Sequence, residues 1–351
     1  VARSQQKETH VPRATTQRNA TLHLARVPSG EAGPGDFEVR ESAIPKPRSG
    51  EVLIRTHYIG VDAALRLIVR DSGDFLFRVK PGDVVHGSGA GEVVESRHPD
   101  FRVGDAVLGS FGVRRYALSD GRGLERCDTA LAPLSTWLGP MGVSGLTAYF
   151  AMFEECKPQP GQTVLVSGAA GAVGSIAGQL ARLAGARTIG LTSTAEKCRW
   201  LESELGYHVA IDYRAPDFRE QLERAAPDRI DAIFDNVGGA VLDESLRLIG
   251  MRGCVLLCGS TSQYPAETMQ GPSNYIWLGT MRARMQGFVV FDYAARYDEG
   301  RRRLAEFAKA GRLKMPEHVV RGDVSDFPAA LRSLYRGENK GKMVLRLPAA
   351  G

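Results

Sequence analysis

The sequence predicts an α/β protein in which a six-stranded doubly wound sheet is inserted into a β-rich domain. Three observations predict this. Residues 20–138 hold short apolar runs bounded by turn clusters. From Leu138 onward, strand-like and helical patterns alternate, the mark of βαβ units and a parallel sheet. Beyond residue 310 that alternation ends and a final strand pattern returns, so the first domain is discontinuous. A chain of 351 residues is long enough for two cores.

Composition narrows the class. Hydrophobic residues make up 43% and charged residues 24%, as in an ordinary globular protein. The 40 glycines follow no G-x-y period and imply tight turns. No run of about 18 apolar residues occurs, so no membrane span is expected. The net charge is +5, but Arg3, Lys7, Arg13 and Arg18 against Glu8 place +3 of it in the first 20 residues. No basic stripe with interleaved aromatics follows, which argues against nucleic-acid binding. The opening "VARSQQKETHVPRATTQ" lacks the apolar core of a secretory signal, and residues 1–19 read as a disordered basic tail. Five cysteines, Cys127, Cys156, Cys198, Cys254 and Cys258, are odd in number and lack C-x-x-C spacing. A reducing, cytoplasmic setting is expected.

The elements follow in order. "EVLIRTHYIGV", "AGEVVES" and "DAVLGSF" are apolar runs separated by "PRSG", "KPGD" and "HPDFRVGD", which suits an antiparallel sheet or barrel. "TVLVSG" (163–168) opens the second pattern as strand one, and "GSIAGQLARLAG" is its helix. "RTIGLTS" is strand two, followed by the helix "AEKCRWLESELG", which Gly206 closes. "YHVAIDY", "IDAIFDNVGG", "GCVLLCGS" and "MQGFVVFDY" are strands three to six, with helices "FREQLERAAP" and "AVLDESLRLIGM" after three and four. Beyond Tyr293, "ARYDEGRRRLAEFAKAGRL" is amphipathic, and "HVVRGDV" onward reads as irregular structure, a helix and a last strand. The expected division is 20–138 with 311–351 for the β-rich domain and 139–310 for the nucleotide domain.

The turn "SGAAGAVGS" carries the first functional signal. A pyrophosphate needs close backbone approach and a helix N-terminus aimed at it. The fingerprint positions are Ala169, Gly171 and Gly174. Gly171 is where a Cβ would block a phosphate, and Gly174 is where helix and strand pack. Ala169 needs only a small side chain, and Gly168 can supply a positive φ. A strand before the turn and a helix after it supply the confirming context.

Strand two ends in "LTSTAEK" (191–197), with hydroxyls where a dinucleotide site for NAD usually carries a carboxylate. Ser193 leaves room for a ribose 2′-phosphate, and Lys197 can pair with it. This favours NADP(H). A solvated surface lysine is the other reading of Lys197, and Glu196 is expected to point away.

These motifs sit beside "GLTAYF", "FDNVGG", "CGSTSQY", "RMQGFVVFDY" and "RGENKGKMVL". Together, from residue 21 onward, they resemble the zinc-independent medium-chain dehydrogenase/reductases, in the group of prostaglandin and alkenal double-bond reductases. The resemblance implies a Rossmann nucleotide domain inserted into a GroES-like substrate domain. By position it implies Thr147 at the nicotinamide end, with Ala172 and Val173 along the pyrophosphate. Lys197 and Tyr213 would hold the 2′-phosphate region. Asn236 would stand at the end of strand four, and Cys258 and Gly259 at the end of strand five. Phe288 and Val290 would lie near the nicotinamide, and Asn339 would reach in from the other domain. Phe288 and Val290 could equally be core, and Asn236 a strand-end cap.

No zinc is expected. The region where relatives that use the metal carry "GHE" reads "GSGAGEV", and clustered cysteines are missing. An α,β-unsaturated ketone or aldehyde is the implied small-molecule substrate, with hydride delivered to its β-carbon. Tyr264, in "GSTSQYP", matches the family tyrosine near the substrate carbonyl and is the expected catalytic residue, although it could also be a loop residue covering the cleft. The first domain departs from the family pattern. "VDAALR" replaces "DP" with Tyr or Thr and "MR", so Ala64 takes the pocket position. Val113 stands where a Trp is frequent, and His86 lies nearby, as a structural residue or a donor to substrate. The smaller groups at 64 and 113 predict a wide pocket and a bulky, secondary-metabolite-like substrate. A quinone oxidoreductase, and a cyclase or binding protein that has lost hydride transfer, are the alternatives. The resemblance also implies a homodimer, through the sheet edge near "GFVVFDY".

Overall fold

A computed structural model describes residues 18–30, 32–69, 78–266 and 268–349. One sheet has six parallel strands, ordered Val209–Asp212, Arg187–Thr192, Thr163–Ser167, Ile230–Asp235, Ile249–Leu257 and Arg284–Gly287. This is the doubly wound order, with its switch between the first and fourth strands in the chain. Side chains alternate faces along a strand. Val164, Val166, Ala232, Phe234 and Leu256 therefore pack with Ile176 and Leu180 of the helix Gly174–Leu183. Leu165, Ile233, Val255 and Ile189 pack on the opposite face with Leu222 and Leu246. Both faces are covered, as parallel sheets require.

The second sheet takes strands from both sides of this unit. Its order is Glu317–Arg321, Lys342–Arg346, Val52–Gly60, Ser88–Ser96, Ala106–Ser110 and Glu125–Arg126. Tyr116–Ser119 also pairs with Val52–Gly60, and Arg18–Leu24 pairs separately with Phe37–Ala43. The two units meet at the glycine turn. Gly341 N–H donates to the Ala170 carbonyl at 2.8 Å, and Gly171 and Gly341 form an isolated parallel bridge.

Three expectations change. Arg18 and Asn19 are not tail: they pair with Ala43 and Ser42. Asn19 is buried, and its amide exchanges two 3.0 Å hydrogen bonds with the Tyr116 backbone. The remaining tail, 1–17, lies outside the described residues. Glu317–Arg321 is a strand rather than irregular structure. It is an edge strand, so only "VV" within charged flanks signalled it. The sixth parallel strand ends at Gly287: Phe288 N–H still donates to the Leu257 carbonyl at 3.0 Å, a 3-10 turn begins at Val290, and both side chains lie in the main core cluster.

Gly178 shows how close the helix Gly174–Leu183 lies to its neighbours. A Cβ there would come within 1.9 Å of the buried Tyr207 ring, whose hydroxyl donates to the Gly174 carbonyl at 2.7 Å. Alanine normally favours a helix over glycine by about 1 kcal/mol. Here overpacking reverses the sign. Gly178→Ala is expected to destabilise the protein by about 1–3 kcal/mol, read from the urea midpoint.

Candidate active site

The strand Thr163–Ser167 is wholly buried and delivers the chain into the turn. Gly168 has φ +60°, the left-handed conformation that glycine adopts without strain. A Cβ on Gly174 would lie 2.4 Å from the Gly168 carbonyl oxygen and 2.7 Å from Ala169 Cα, so helix and strand can meet only at glycine. Ala169 is fully buried, and its methyl faces Gly190 in the core. Gly171 differs: a Cβ there would meet only the Gly168 oxygen, at 3.2 Å. It lines a cavity of about 700 Å³ that extends over the strand ends to residues 61–66 and 334–343. This volume suits a small organic ligand or cofactor.

The cavity gathers most of the residues singled out above. Gly171, Ala172, Val173 and Gly174 form its floor. Ser193, Lys197 and Tyr213 line one end. Asn236, Cys258, Gly259 and Asn339 line the walls, and Tyr264 also faces in. Asn236 is tied down as well: its backbone N–H and side-chain amide donate to Ser167 Oγ and O at 2.8 and 2.9 Å. Asn339 donates its amide to the Gly341 carbonyl at 2.8 Å, which shapes the loop crossing the turn.

Charge is distributed unevenly. Lys197 is buried, and its Nζ donates to the Gly337 carbonyl at 2.5 Å. Burial, with repulsion from Arg214 and Lys340, lowers its pKa to about 8. Thr194 is spent on the helix instead: its Oγ accepts the Lys197 backbone N–H at 3.2 Å. Glu196 does point away, paired with Lys340 at 2.6 Å. Arg214 also lines the cavity, with its guanidinium 6.0 Å from the Tyr213 ring. Sequence reasoning missed Arg214, although it directly follows Tyr213 in "IDYR". Burial pushes the Cys258 thiol up to about 12, so it is a neutral wall residue. Burial also raises the Tyr264 pKa, with the Ser260 N–H opposing. Its hydroxyl therefore stays protonated near neutral pH. A Cβ on Gly259 would come within 3.4 Å of that hydroxyl, so glycine keeps the space beside it open.

Six expected residues do not line this cavity. Thr147 is buried and donates to the Val143 carbonyl at 2.7 Å, while Ser144 lines the cavity in its place. Phe288 and Val290 belong to the main core cluster. Val113 is fully buried beside Ile59 and Val85 in the second core. Ala64 is exposed at the start of the turn Leu65–Ile68, and its neighbours Asp62 and Ala63 face the cavity instead. His86 is half-buried, with Nδ1 3.4 Å from Ser110 Oγ, and burial lowers its pKa. The small side chains at 64 and 113 therefore do not widen this cavity. Asp62, Arg66 and Tyr335 line it without having been singled out.

Two family profiles match the chain: "N-terminal domain of oxidoreductase" over residues 20–127 and "Zinc-binding dehydrogenase" over residues 172–306. The NADPH-dependent curcumin reductase of Escherichia coli is 36% identical, covering 94% of this chain and 97% of that protein. Prostaglandin reductase 1 of Bos taurus is 36% identical over 89% of this chain and 94% of its own length. The crystal structure of CurA from Vibrio vulnificus in complex with NADPH superposes with a TM-score of 0.88 at 34% identity, covering 94% of this chain and all of the other.

Lys197 carries its positive charge below about pH 8 and loses it above. Affinity for adenosine 2′-monophosphate is thus expected to fall as pH rises from about 7 to about 9, by at most about tenfold per unit. The 5′-monophosphate should show no such loss, and Lys197→Met should abolish the difference in isothermal titration calorimetry.

Proposed function

Because the chain belongs to the zinc-independent medium-chain dehydrogenase/reductases, in the group of prostaglandin and alkenal reductases, we propose that it is an NADPH-dependent reductase of carbon–carbon double bonds conjugated to a carbonyl. One observation carries the reading. A single cavity joins a cationic end, Lys197 and Arg214, to a protonated buried tyrosine, Tyr264, across a glycine floor open to phosphates.

The residues fit the nicotinamide dinucleotide phosphate. Gly171 to Gly174 would receive its pyrophosphate, Lys197, Arg214 and Ser193 its 2′-phosphate, and Asn236, Cys258 and Gly259 its remaining length. When bound, the cofactor supplies the hydride. The protein's part is orientation and electrostatics. Tyr264 donates a hydrogen bond to the substrate carbonyl oxygen, where negative charge builds as the β-carbon is reduced. Such a donor contributes roughly 3 kcal/mol. Val61, Leu334, Pro265 and Met343 line the cavity with apolar surface and keep water from the reacting carbons. In this reading residues 139–310 hold the cofactor, and 20–138 with 311–351 complete the substrate side.

The proposed assembly is a homodimer. The strand Arg284–Gly287 is a sheet edge, and Val289 and Phe291 beyond it are 54% and 67% exposed. The five cysteines are free, which supports a cytoplasmic setting.

Three outcomes follow. NADPH oxidation should be driven by enones and alkenals; tight NADPH binding without turnover of any of them would refute the reading. Tyr264→Phe should lower kcat roughly a hundredfold while leaving the NADPH Kd unchanged. Arg214→Gln should raise the Kd for NADPH about tenfold and that for NADH hardly at all, by fluorescence titration.

A further inference from the structure

One wall of the cavity holds two donors that the proposed reaction does not use. Tyr335 ends the helix Phe327–Tyr335 and packs against the second core. Arg66 comes from the short helix Leu65–Ile68, and its guanidinium stands 5.2 Å from the centre of the Tyr335 ring. Both line the cavity.

Among the described residues, neither the Tyr335 hydroxyl proton nor the Arg66 guanidinium has an acceptor. The Tyr335 hydroxyl is buried and has no hydrogen-bond partner among the described residues. Its nearest backbone donor, the Arg66 N–H, already gives its proton to the Ala63 carbonyl at 3.2 Å. A buried hydroxyl left in this state carries an uncompensated desolvation cost, so a ligand that supplies an acceptor gains the difference. The Arg66 guanidinium has no ion pair among the described residues and stacks on Tyr335.

The charges nearby decide what kind of acceptor fits. Asp62 also lines this wall, but its carboxylate is paired with Lys342, which is 2% exposed and also donates to the Val61 carbonyl at 3.3 Å. That pair cancels. What remains is one positive charge, on Arg66, and one unsatisfied O–H, on Tyr335. An arginine beside a hydroxyl matches an oxygen that carries negative charge.

We propose that Arg66 and Tyr335, which the β-rich domain contributes to the cavity lining, form a receptor for an anionic oxygen. The oxygen belongs either to a phosphate of the cofactor or to a carboxylate on the substrate. Gly337, two residues after Tyr335, accepts Lys197, so the wall adjoins the phosphate end. Leu334 and Met343 beside it are apolar, as a substrate chain ending in a carboxylate would need. The assignment rests on this cavity being the cofactor and substrate site.

The test reads binding, so it does not depend on turnover. Tyr335→Phe keeps the ring and removes only the hydroxyl; Arg66→Gln keeps a donor and removes the charge. Each is titrated with NADPH, with NADH, and, in the presence of NADP, with a saturated medium-chain keto acid and its methyl ester. Matched thermal midpoints establish that the variants are folded. A cofactor phosphate predicts about tenfold weaker nucleotide binding in both variants. Loss for NADPH alone identifies the 2′-phosphate, and loss for both nucleotides identifies the pyrophosphate. A substrate carboxylate predicts about tenfold loss for the acid and none for the ester. Wild-type affinities for all four probes in both variants would overturn the proposal. If the wild-type protein bound neither nucleotide, the functional reading would fail, and the acid-versus-ester comparison, made without NADP, would decide the receptor alone.

Discussion

The contact between Gly168 and Gly174 is the constraint on which the site depends. A Cβ at 174 would stand 2.4 Å from a carbonyl oxygen that cannot move without breaking the first strand's exit. With glycine there, the helix Gly174–Leu183 starts directly against the sheet, and the preceding backbone curves into an open floor. The helix brings the partial positive charge of its N-terminus to that floor. It also carries Gly178, over which Tyr207 packs and reaches back to Gly174. The first strand, first helix and cavity floor are thus one mechanical unit.

The second domain meets this unit through directional hydrogen bonds as well as through the shared apolar cluster, in which Ala106, Leu108, Cys127 and Trp137 join the nucleotide-domain core. Gly341 bridges to Ala170 and Gly171, and Lys197 reaches Gly337. Gln179, buried on the first helix, exchanges hydrogen bonds with Lys314, donating to its carbonyl at 2.9 Å and accepting its N–H at 2.8 Å. These bonds are directional, so they fix where the 337–341 loop lies above the turn. The loop forms one wall of the cavity, and its position sets the width available to a ligand. Lys197 serves both purposes. It holds the loop and supplies the cationic end, and burial between the domains is what lowers its pKa.

Electrostatic balance divides the cavity. Asp62, the acidic residue of its lining, is paired with Lys342, and Glu196 outside it is turned to Lys340. Its cations, Lys197, Arg214 and Arg66, are left facing the space. Tyr264 and Tyr335 add neutral donors. Such a chamber favours ligands with several anionic oxygens and one polarisable carbonyl, the combination a phosphorylated cofactor and an enone present together.

Much of this was legible in local sequence. Continuous apolar runs and helical spacing give the parallel strands and their helices, because burial on both faces leaves a direct mark on residue type. The glycine turn and the hydroxyl-rich end of strand two are local in the chain, so Lys197, Ser193 and Tyr213 could be found by position. Other features had no local signal. Val113 and Phe288 are apolar in either role, and only packing shows that they are core. Ala64 and Asp62 are two residues apart, and the turn at Leu65–Ile68 decides which faces the cavity. Arg66 and Tyr335 are separated by more than half the chain, and nothing in either segment announces the other. Sequence determined the architecture and the glycine turn, because those depend on neighbours along the chain. The Arg66 and Tyr335 wall of the cavity was decided by tertiary structure, because it depends on which polar groups folding leaves without partners.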